Sequence, residues 1–176
     1  ISVGSNKTID GRGRKVTISA PGQWGFLITR TSNIIIENLI LTCFGSCTHI
    51  DSERQDAIDI DGGSNIWLDH LDISKASDKA IGFANGVTNV TVSWNHVHDQ
   101  EQNVQLGNTT TQANDVNETI TWHHNLFDAG GYRKPVVSYG KAHSYNNYIT
   151  NWSAYGSRSE RTGQLLIENN IYEAGV

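Results

Sequence analysis

The sequence predicts an all-β protein, specifically a single-stranded right-handed parallel β-helix with about six to seven coils. Three observations predict this fold class. Short segments of alternating apolar and polar residues recur along the chain, Asn recurs at a fixed position within those segments, and no stretch has the 3.6-residue period of an amphipathic helix. At 176 residues the chain is expected to form one domain, residues 1–176.

Residues 56–74, in the middle of the chain, show the strand pattern most clearly. Ile58 and Ile60 alternate with aspartates, and Ile66 and Leu68 resume an alternation after a Gly-Gly-Ser turn. A period of two residues is typical of a strand with one buried face. This segment therefore predicts two short strands joined by a turn that glycine makes accessible.

Six segments of the chain can be superimposed by their apolar positions. They begin at Asn33, Asn65, Asn89, Thr119, Lys141 and Gln164. The two shortest intervals are 22 residues, between Thr119 and Lys141, and 23 residues, between Lys141 and Gln164. Such a repeat fits one coil of three short strands joined by turns, and the longer intervals predict coils with inserted loops.

The last position of four aligned segments is Asn, namely Asn95, Asn125, Asn147 and Asn170. Stacked coils would place these amides above one another, so that each satisfies its neighbour. A simpler interpretation is that Asn is common in turns. A fixed column over four coils favours a ladder inside the solenoid.

The two ends of the predicted solenoid are open. The chain starts on a coil segment at Ile1 and stops at Val176, just after another. Unpaired strand edges favour association with other chains. We therefore expect a fragment, a minimal core, or self-association through uncapped helix ends.

Charge and hydropathy exclude two classes of partner. Thirteen basic and 18 acidic residues give a net charge of −5, which argues against nonspecific nucleic-acid binding. No apolar run approaches the roughly 20 residues of a membrane helix, so no membrane partner is expected, and no signal peptide is visible at Ile1. Cys43 and Cys47 allow either a small disulfide or two thiols.

Several motifs resemble the family 1 polysaccharide lyases, the pectate and pectin lyases. Trp67-Leu68-Asp69-His70 resembles their Trp-Ile-Asp-His motif, residues 3–13 resemble their opening coil, and Arg133-Lys134-Pro135 matches their Arg-x-Pro motif. The resemblance implies a pectate lyase-like enzyme that cleaves 1,4-linked galacturonan by β-elimination to unsaturated oligogalacturonides. It also implies an acidic plant cell-wall polysaccharide as partner, a secreted, extracellular location and a Ca²⁺ cofactor.

The resemblance assigns the catalytic base to Arg133. The reaction needs a base near C5 of the sugar, positive charge at the adjacent carboxylate and groups that hold neighbouring sugars. A free guanidinium is protonated at ordinary pH. The assigned residue therefore acts as a base only where nearby cations and bound substrate make deprotonation accessible, and otherwise as an electrostatic clamp.

The chain departs from the family pattern at both other cationic substrate positions. The second Arg of the family falls at Ser138, and its Lys falls at Gln102. We nevertheless expect these two residues, with Lys134, to contact substrate. Their identity keeps open a catalytically inactive β-helix that binds polysaccharide or has a structural role.

The predicted calcium site also has fewer acidic residues than the family pattern. Asp56 and Asp78 match acidic positions of the family, whereas Arg54 and Gly82 stand where the two others would be. Two carboxylates are few for Ca²⁺, which takes six to eight oxygen ligands. Lys79 aligns with an Arg that calcium-free pectin lyases place here, so the alternative is a calcium-independent pectin lyase in which Arg54 and Lys79 bind substrate.

A basic groove is predicted around the substrate. Its cations are Arg54, Lys79, Arg133, Lys134 and Lys141, and its walls include His123, His124 and Tyr139. A local field of this kind would guide an anionic chain onto a protein of negative net charge. Trp122 shares the parity of Ile120 and is assigned to the core, and the His pair is assigned a structural rather than an acid–base role. A hydrolase is disfavoured because no motif pairs two carboxylates around a water.

Overall fold

The computed structural model describes residues 1–107, 113–128 and 130–175. Within them lie eighteen strands and one short 3₁₀ helix, Ala113–Asn117. The strands are β1 (Lys7–Asp10), β2 (Thr17–Pro21), β3 (Phe26–Glu37), β4 (Ile40–Gly45), β5 (Ile58–Asp69), β6 (Asp72–Ala76), β7 (Lys79–Ala84), β8 (Thr88–Ser93), β9 (His96–His98), β10 (Gln102–Leu106), β11 (Thr119–His123), β12 (Leu126–Phe127), β13 (Val136–Val137), β14 (Lys141–Tyr145), β15 (Tyr148–Thr150), β16 (Arg158–Ser159), β17 (Gln164–Glu168) and β18 (Ile171–Glu173).

The strands form three faces of a solenoid, and each strand pairs in parallel with the strand one coil away. The first face contains the first halves of β3 and β5, then β7, β10, β13 and β16. The second face contains β1, the second halves of β3 and β5, then β8, β11, β14 and β17. The third face contains β2, β4, β6, β9, β12, β15 and β18.

This arrangement confirms the predicted parallel β-helix. The second face holds one strand from each of seven coils, which agrees with the expected coil number. The two strands predicted within residues 56–74 prove to be one continuous strand, β5, which carries the first face into the second. Gly62 and Gly63 form the corner with positive φ angles of 77° and 111°.

Inward side chains from the three faces form one hydrophobic core. The largest are Trp122, Phe26, Phe44, Phe83 and Phe127, all 2% exposed or less. Trp122 contacts the edge of Phe83 at a ring-centroid distance of 6.1 Å, which confirms its assignment to the core.

The predicted Asn ladder is confirmed. The side-chain amide of Asn95 donates to Oδ1 of Asn125 at 3.0 Å, and Asn125 donates to Asn147 at 2.9 Å. Asn147 donates in turn to Asn170 at 2.9 Å. Each oxygen also accepts the backbone N–H of the preceding coil's ladder residue, as in the 2.9 Å bond from Asn125 N to Asn147. The ladder therefore satisfies buried amides and backbone groups together.

A second Asn ladder lies on the surface, at the corner that leads into the second face. Asn33 donates to Asn6 at 2.8 Å, Asn65 to Asn33 at 3.1 Å and Asn89 to Asn65 at 3.3 Å. All four residues have positive φ angles between 54° and 61°, which Asn tolerates better than most residues.

The last coil leaves apolar side chains uncovered. Ile167 on β17 continues the inward column of Trp122 and Ser144 but is 46% exposed, and Ile171 on β18 is 63% exposed. No further strand of the described residues packs against this coil.

The open choice for the two cysteines is resolved as a disulfide between Cys43 and Cys47, whose Cα atoms lie 4.2 Å apart. In the part of the chain that the structure describes, no helix has the length and apolar character needed to cross a membrane.

Candidate active site

A cleft of about 430 Å³ lies on the first face, over the central coils. The segment before β5 and the turn between β6 and β7 form one wall, and strands β5, β7 and β10 form the floor. Its lining residues are Trp24, Arg54, Asp56, Asp59, Asp78, Lys79, Gly82, Phe83, Ala84 and Gln105. Four predicted site residues, Arg54, Asp56, Asp78 and Lys79, are therefore brought together.

Lys79 lies between the two predicted metal ligands. Its Nζ is 3.2 Å from Oδ1 of Asp56 and donates to Oδ2 of Asp78 at 2.5 Å. The backbone N–H of Lys79 also donates to Oδ1 of Asp56 at 2.8 Å. Both carboxylates are buried, and the Lys79 side chain is 12% exposed. Burial reduces screening by solvent, so this triad of one ammonium and two carboxylates is a fixed feature of the cleft.

Burial dominates the ionisation of the cleft acids. It raises the pKa of Asp56 to about 7, although the neighbouring Lys79 lowers it and Asp78 raises it further. The pKa of Asp59 is raised as well, mainly by burial, and Lys79 again opposes the shift. The cleft therefore changes its charge close to neutral pH.

Gly82 lies directly beneath this triad. A Cβ atom built on Gly82 would lie 2.5 Å from Oδ2 of Asp56 and 2.9 Å from Cε of Lys79. An acidic side chain at position 82 does not fit while Lys79 holds its present place. The absence of an acid at position 82 and the presence of a cation at position 79 are thus two parts of one arrangement.

This donor set does not fit Ca²⁺. Asp56 and Asp78, the two ligands predicted from the sequence, both contact the ammonium group of Lys79. A divalent ion would have to share this small space with a fixed positive charge, and Gly82 contributes no side-chain oxygen. No step of the chemistry below is therefore assigned to a metal.

Arg133 lies one coil further along, at the rim of the cleft. Its guanidinium donates to the side-chain oxygens of Gln102 and of Gln105, the latter at 2.6 Å, and Gln105 lines the cleft. The guanidinium also lies 5.2 Å from the ring centroid of Tyr132. Among the described residues, no carboxylate forms an ion pair with Arg133. In the described part of the chain, its side-chain hydrogen bonds are to neutral amide oxygens, and the ring of Tyr132 adds a further contact.

Gln102 and Ser138, which stand where the family pattern has a Lys and a second Arg, have different surroundings in the structure. Gln102 pairs in register with Lys79 and bonds to Arg133, so it belongs to the site. Ser138 is 1% exposed and donates to Oε1 of Glu160 at 2.9 Å. Glu160 therefore covers this hydroxyl, and the structure places Ser138 below the surface rather than in the open cleft.

Lys134, the third predicted contact residue outside the cleft wall, lies inside the solenoid. It is fully buried, and its Nζ donates to the carbonyl oxygen of Thr150 at 2.7 Å. Burial lowers the pKa of Lys134 to about 8, an effect that Asp128 partly opposes. This side chain points into the solenoid while its neighbour Arg133 points out, so it has a structural role.

Three of the five cations predicted to form a groove lie at the cleft, namely Arg54, Lys79 and Arg133. Lys141 begins β14 on the second face, and His123 and His124 lie at the end of β11 on the same face. His123 stacks on Tyr145 at 5.1 Å, and His124 stacks on Trp94 at 4.5 Å. These contacts form an aromatic column along the coils, on a different face from the cleft.

Sequence analysis missed three residues of the site. Trp24 lines the cleft and offers a flat apolar surface, which suits a sugar ring. Asp59 and Gln105 face the cleft because both pair in register with Gly82. The period-2 pattern of β5 marks Asp59 as outward-facing, but which face becomes the cleft is visible only once the coils are stacked.

These features define a parallel β-helix with a charged cleft on one face of its central coils. The chain belongs to the pectate lyase family, because the family description Pectate lyase matches residues 1–176. A pectate trisaccharide-lyase of Bacillus licheniformis is 34% identical over 96% of this chain and 49% of its own length. Pectate lyase 3 of Pectobacterium carotovorum subsp. carotovorum is 31% identical over 89% of this chain and 44% of its own length.

A solved structure shares the fold of this chain. The major allergen of cedar pollen matches with a TM-score of 0.85 at 26% identity, over 94% of this chain and 51% of that one. The chain therefore spans about half the length of the relatives that it matches.

Proposed function

We propose that this protein cleaves 1,4-linked galacturonan by β-elimination and that Lys79 takes the place of a metal ion in its cleft. One observation carries the proposal: the ammonium group of Lys79 is held between Asp56 and Asp78 at 3.2 and 2.5 Å. The names of the family relatives supply the substrate class, acidic plant cell-wall polysaccharide. Because that polymer lies outside cells, the proposal includes a secreted, extracellular protein.

In this proposal Arg133 is the catalytic base. In β-elimination the C5 proton leaves to a base, its electron pair forms the C4–C5 double bond and the C4–O bond breaks, so the leaving oxygen must gain a proton. The guanidinium of Arg133 donates to Gln102 and Gln105, which holds it at the rim of the cleft where the C5 proton would be removed. Arg54 and Lys79 supply fixed positive charge where charge develops on the sugar.

The charge balance of the cleft favours esterified substrate. Arg54, Lys79 and Arg133 are opposed by three acids, Asp56, Asp59 and Asp78. Such a cleft has little surplus positive charge to neutralise a row of sugar carboxylates. A methyl-esterified galacturonan lacks most of that negative charge, so we propose that it is the better substrate.

A second candidate function is binding without catalysis. Gln102, which stands where the family has a Lys, is a neutral residue, and Ser138 stands buried where the family has a second Arg. Loss of two cations weakens stabilisation of the transition state more than it weakens recognition of the polymer.

Formation of unsaturated product decides between the two functions. The ultraviolet absorbance of unsaturated uronate is followed with methylated pectin and with polygalacturonate. We expect R133K to lower the rate on the better substrate by about 10²-fold or more. The matched control is R12K, because Arg12 is exposed and pairs with Asp10 in the first coil. Absence of product from folded wild type, together with retained polymer binding, would favour the binding function.

We also propose that the chain of residues 1–176 self-associates through its last coil. The exposed Ile167 and Ile171 and the unpaired edge of β16–β18 support this. Sedimentation velocity tests it: I171K is expected to shift an associated species to monomer, whereas a concentration-independent monomer for the wild type would contradict it.

A further inference from the structure

We propose that the outer surface of the third face binds a d-block divalent cation, with Zn²⁺ as the representative ion, through Asp72, His96 and His98. One ligand atom from each of these three residues lies within 4.8 Å of the others. Two imidazoles and one carboxylate are the ligand types that zinc takes in proteins. The site lies on a different face from the cleft, so it stands independently of the proposed function.

The local fold places the three side chains on one surface. His96 and His98 flank the buried Val97 on β9, and the period of two residues turns both imidazoles outward. Asp72 begins β6, one coil away, and pairs in register with His96. The two rings lie 4.5 Å apart and are nearly parallel.

The distances between donor atoms suit a tetrahedral ion. Nε2 of His98 is 3.1 Å from Oδ1 of Asp72, and Nδ1 of His96 is 3.6 Å from Oδ2 of Asp72. Metal–ligand distances of about 2.0–2.2 Å place two tetrahedral donors roughly 3.3–3.5 Å apart. The two distances bracket this range but involve different oxygens of Asp72, so an ion would be held by both oxygens or by one of them after rotation of the carboxylate.

A carboxylate faces the other nitrogen of each imidazole. Nδ1 of His98 is 3.2 Å from Oδ2 of Asp99, and Nε2 of His96 is 3.9 Å from Oδ2 of Asp128. Asp128 is itself held by the hydroxyl of Thr150 at 3.2 Å. Metal-binding histidines usually donate their second N–H to such a carboxylate, which fixes the tautomer and orients the ring.

The arrangement favours a cation at its centre. When the N–H of neutral His98 is directed to Asp99, its Nε2 lone pair faces an oxygen of Asp72 at 3.1 Å. Two lone pairs repel each other unless a proton or a metal ion lies between them. Nε2 of His96 is shielded from solvent and has no hydrogen-bond partner among the described residues. A metal on Nδ1 would direct the N–H at this Nε2 towards Asp128.

Bound metal would tie β6 to β9 across adjacent coils. We therefore expect Zn²⁺ to raise the melting temperature, since a ligand that binds the folded state stabilises it. Ca²⁺ should not replace Zn²⁺, because it prefers oxygen ligands.

The test is calorimetric titration of the metal-free chain with Zn²⁺, with the visible spectrum of bound Co²⁺ as a second probe of nitrogen ligation. We expect one equivalent to bind the wild type and H98Q to weaken binding at least about tenfold. D72N keeps the shape of the side chain and should lose affinity and the thermal shift together. The matched control is H143Q, because His143 lies on the second face and pairs with Glu168.

Two results would overturn the proposal. Equal Zn²⁺ affinity in the wild type, H98Q and D72N would place the ion elsewhere. Failure of the folded wild type to bind Zn²⁺ would show that the cluster is not a metal site.

Discussion

At the scale of single residues, Lys79 determines what the cleft can do. It fills the space between Asp56 and Asp78, and together with Asp56 it crowds the position that a side chain at Gly82 would take. A buried charge is stable only when it is paired, so the three charged groups depend on one another. Changing one of them alters both the stability and the electrostatics of the cleft.

Replacement of Lys79 by Ala is expected to lower activity by about 10²-fold and the free energy of unfolding by about 3–5 kcal/mol, because two buried carboxylates lose their cation. It also vacates the space between them, so Ca²⁺ should bind K79A and restore part of its activity. Steady-state rates with and without Ca²⁺ measure this. K141A is the control, since Lys141 is exposed on the second face; equal losses in both variants would refute the role of Lys79.

Glu118 is a buried acid that does not line the cleft. Burial raises its pKa to about 8 and the neighbouring Asp115 adds to the shift. Backbone amides of Gly86, Gly107 and Val87 oppose it, but neither carboxyl oxygen has a full hydrogen bond among the described residues. Between about pH 4.5 and 8 the folded state therefore keeps a proton that the unfolded state releases, and stability falls as the pH rises.

The variant E118Q is expected to remove this pH dependence of the stability. Its melting temperature should match the wild type near pH 5 and exceed it by several degrees, about 2–8 °C, near pH 8.5. Thermal unfolding followed by circular dichroism at the two pH values is the measurement. A constant difference between the two proteins at both pH values would show that Glu118 does not titrate in this range.

At the scale of elements, the two Asn ladders differ in burial. Asn125 lies inside the solenoid, where its amide bonds to Asn147 and to the carbonyl oxygen of Val92. Asn65 makes a comparable bond to Asn33 at the surface. Buried amides without partners are costly, whereas exposed amides exchange their partners for water.

Truncation of the inner ladder should therefore be the more damaging change. N125A is expected to lower the free energy of unfolding by about 2–4 kcal/mol, because it leaves buried groups of two coils unpaired. N65G, which keeps the positive φ accessible, should lower it by less than about 1 kcal/mol. Chemical denaturation of both variants measures the difference, and equal losses would contradict this account.

The strands and the inner ladder could be predicted because their signals are local and periodic. The column of Asn95, Asn125 and Asn147 recurs at the coil repeat, and each coil needs the same contact. The Asn column at Asn33, Asn65 and Asn89 was visible at the start of the same aligned segments, yet a turn residue gives no sign that its side chain bonds to the next coil.

The side-chain directions of the site could not be predicted in the same way. Arg133 and Lys134 are neighbours in one motif, yet one is at the rim of the cleft and the other is buried. The resemblance implies that Arg133 is the catalytic base, and Lys134 is expected to contact substrate, but the direction of each side chain depends on how this turn packs against Thr150. The place of Lys79 between two acids likewise joins a turn in one coil to a loop in the coil before it.

At the scale of the whole molecule, the cleft is a product of stacking. Asp59, Gly82 and Gln105 come from three successive coils and meet only because the coils are in register. The cleft has balanced charges on a protein with net charge −5. Its response to an anionic polymer therefore depends on the ionisation of Asp56, whose pKa is raised to about 7.

Affinity for polygalacturonate is expected to increase as the pH falls from 8 to 6. Protonation of Asp56 removes one negative charge from the cleft. The repulsion between that charge and a sugar carboxylate about 4 Å away is worth about 1 kcal/mol in water, so its removal should lower KM roughly fivefold. The KM for methylated pectin should change little. D56N is expected to abolish the difference between the two pH values; an unchanged pH dependence in D56N would assign the effect to another group.

The most direct test of the account is the initial rate of unsaturated product formation on methylated pectin, measured with and without a calcium chelator. Lys79 already supplies the cation of the cleft, so the account predicts the same rate in both conditions, within about twofold. A rate that falls to background on chelation and returns on addition of Ca²⁺ would contradict it, because a metal ion would then have to displace Lys79 from Asp56 and Asp78.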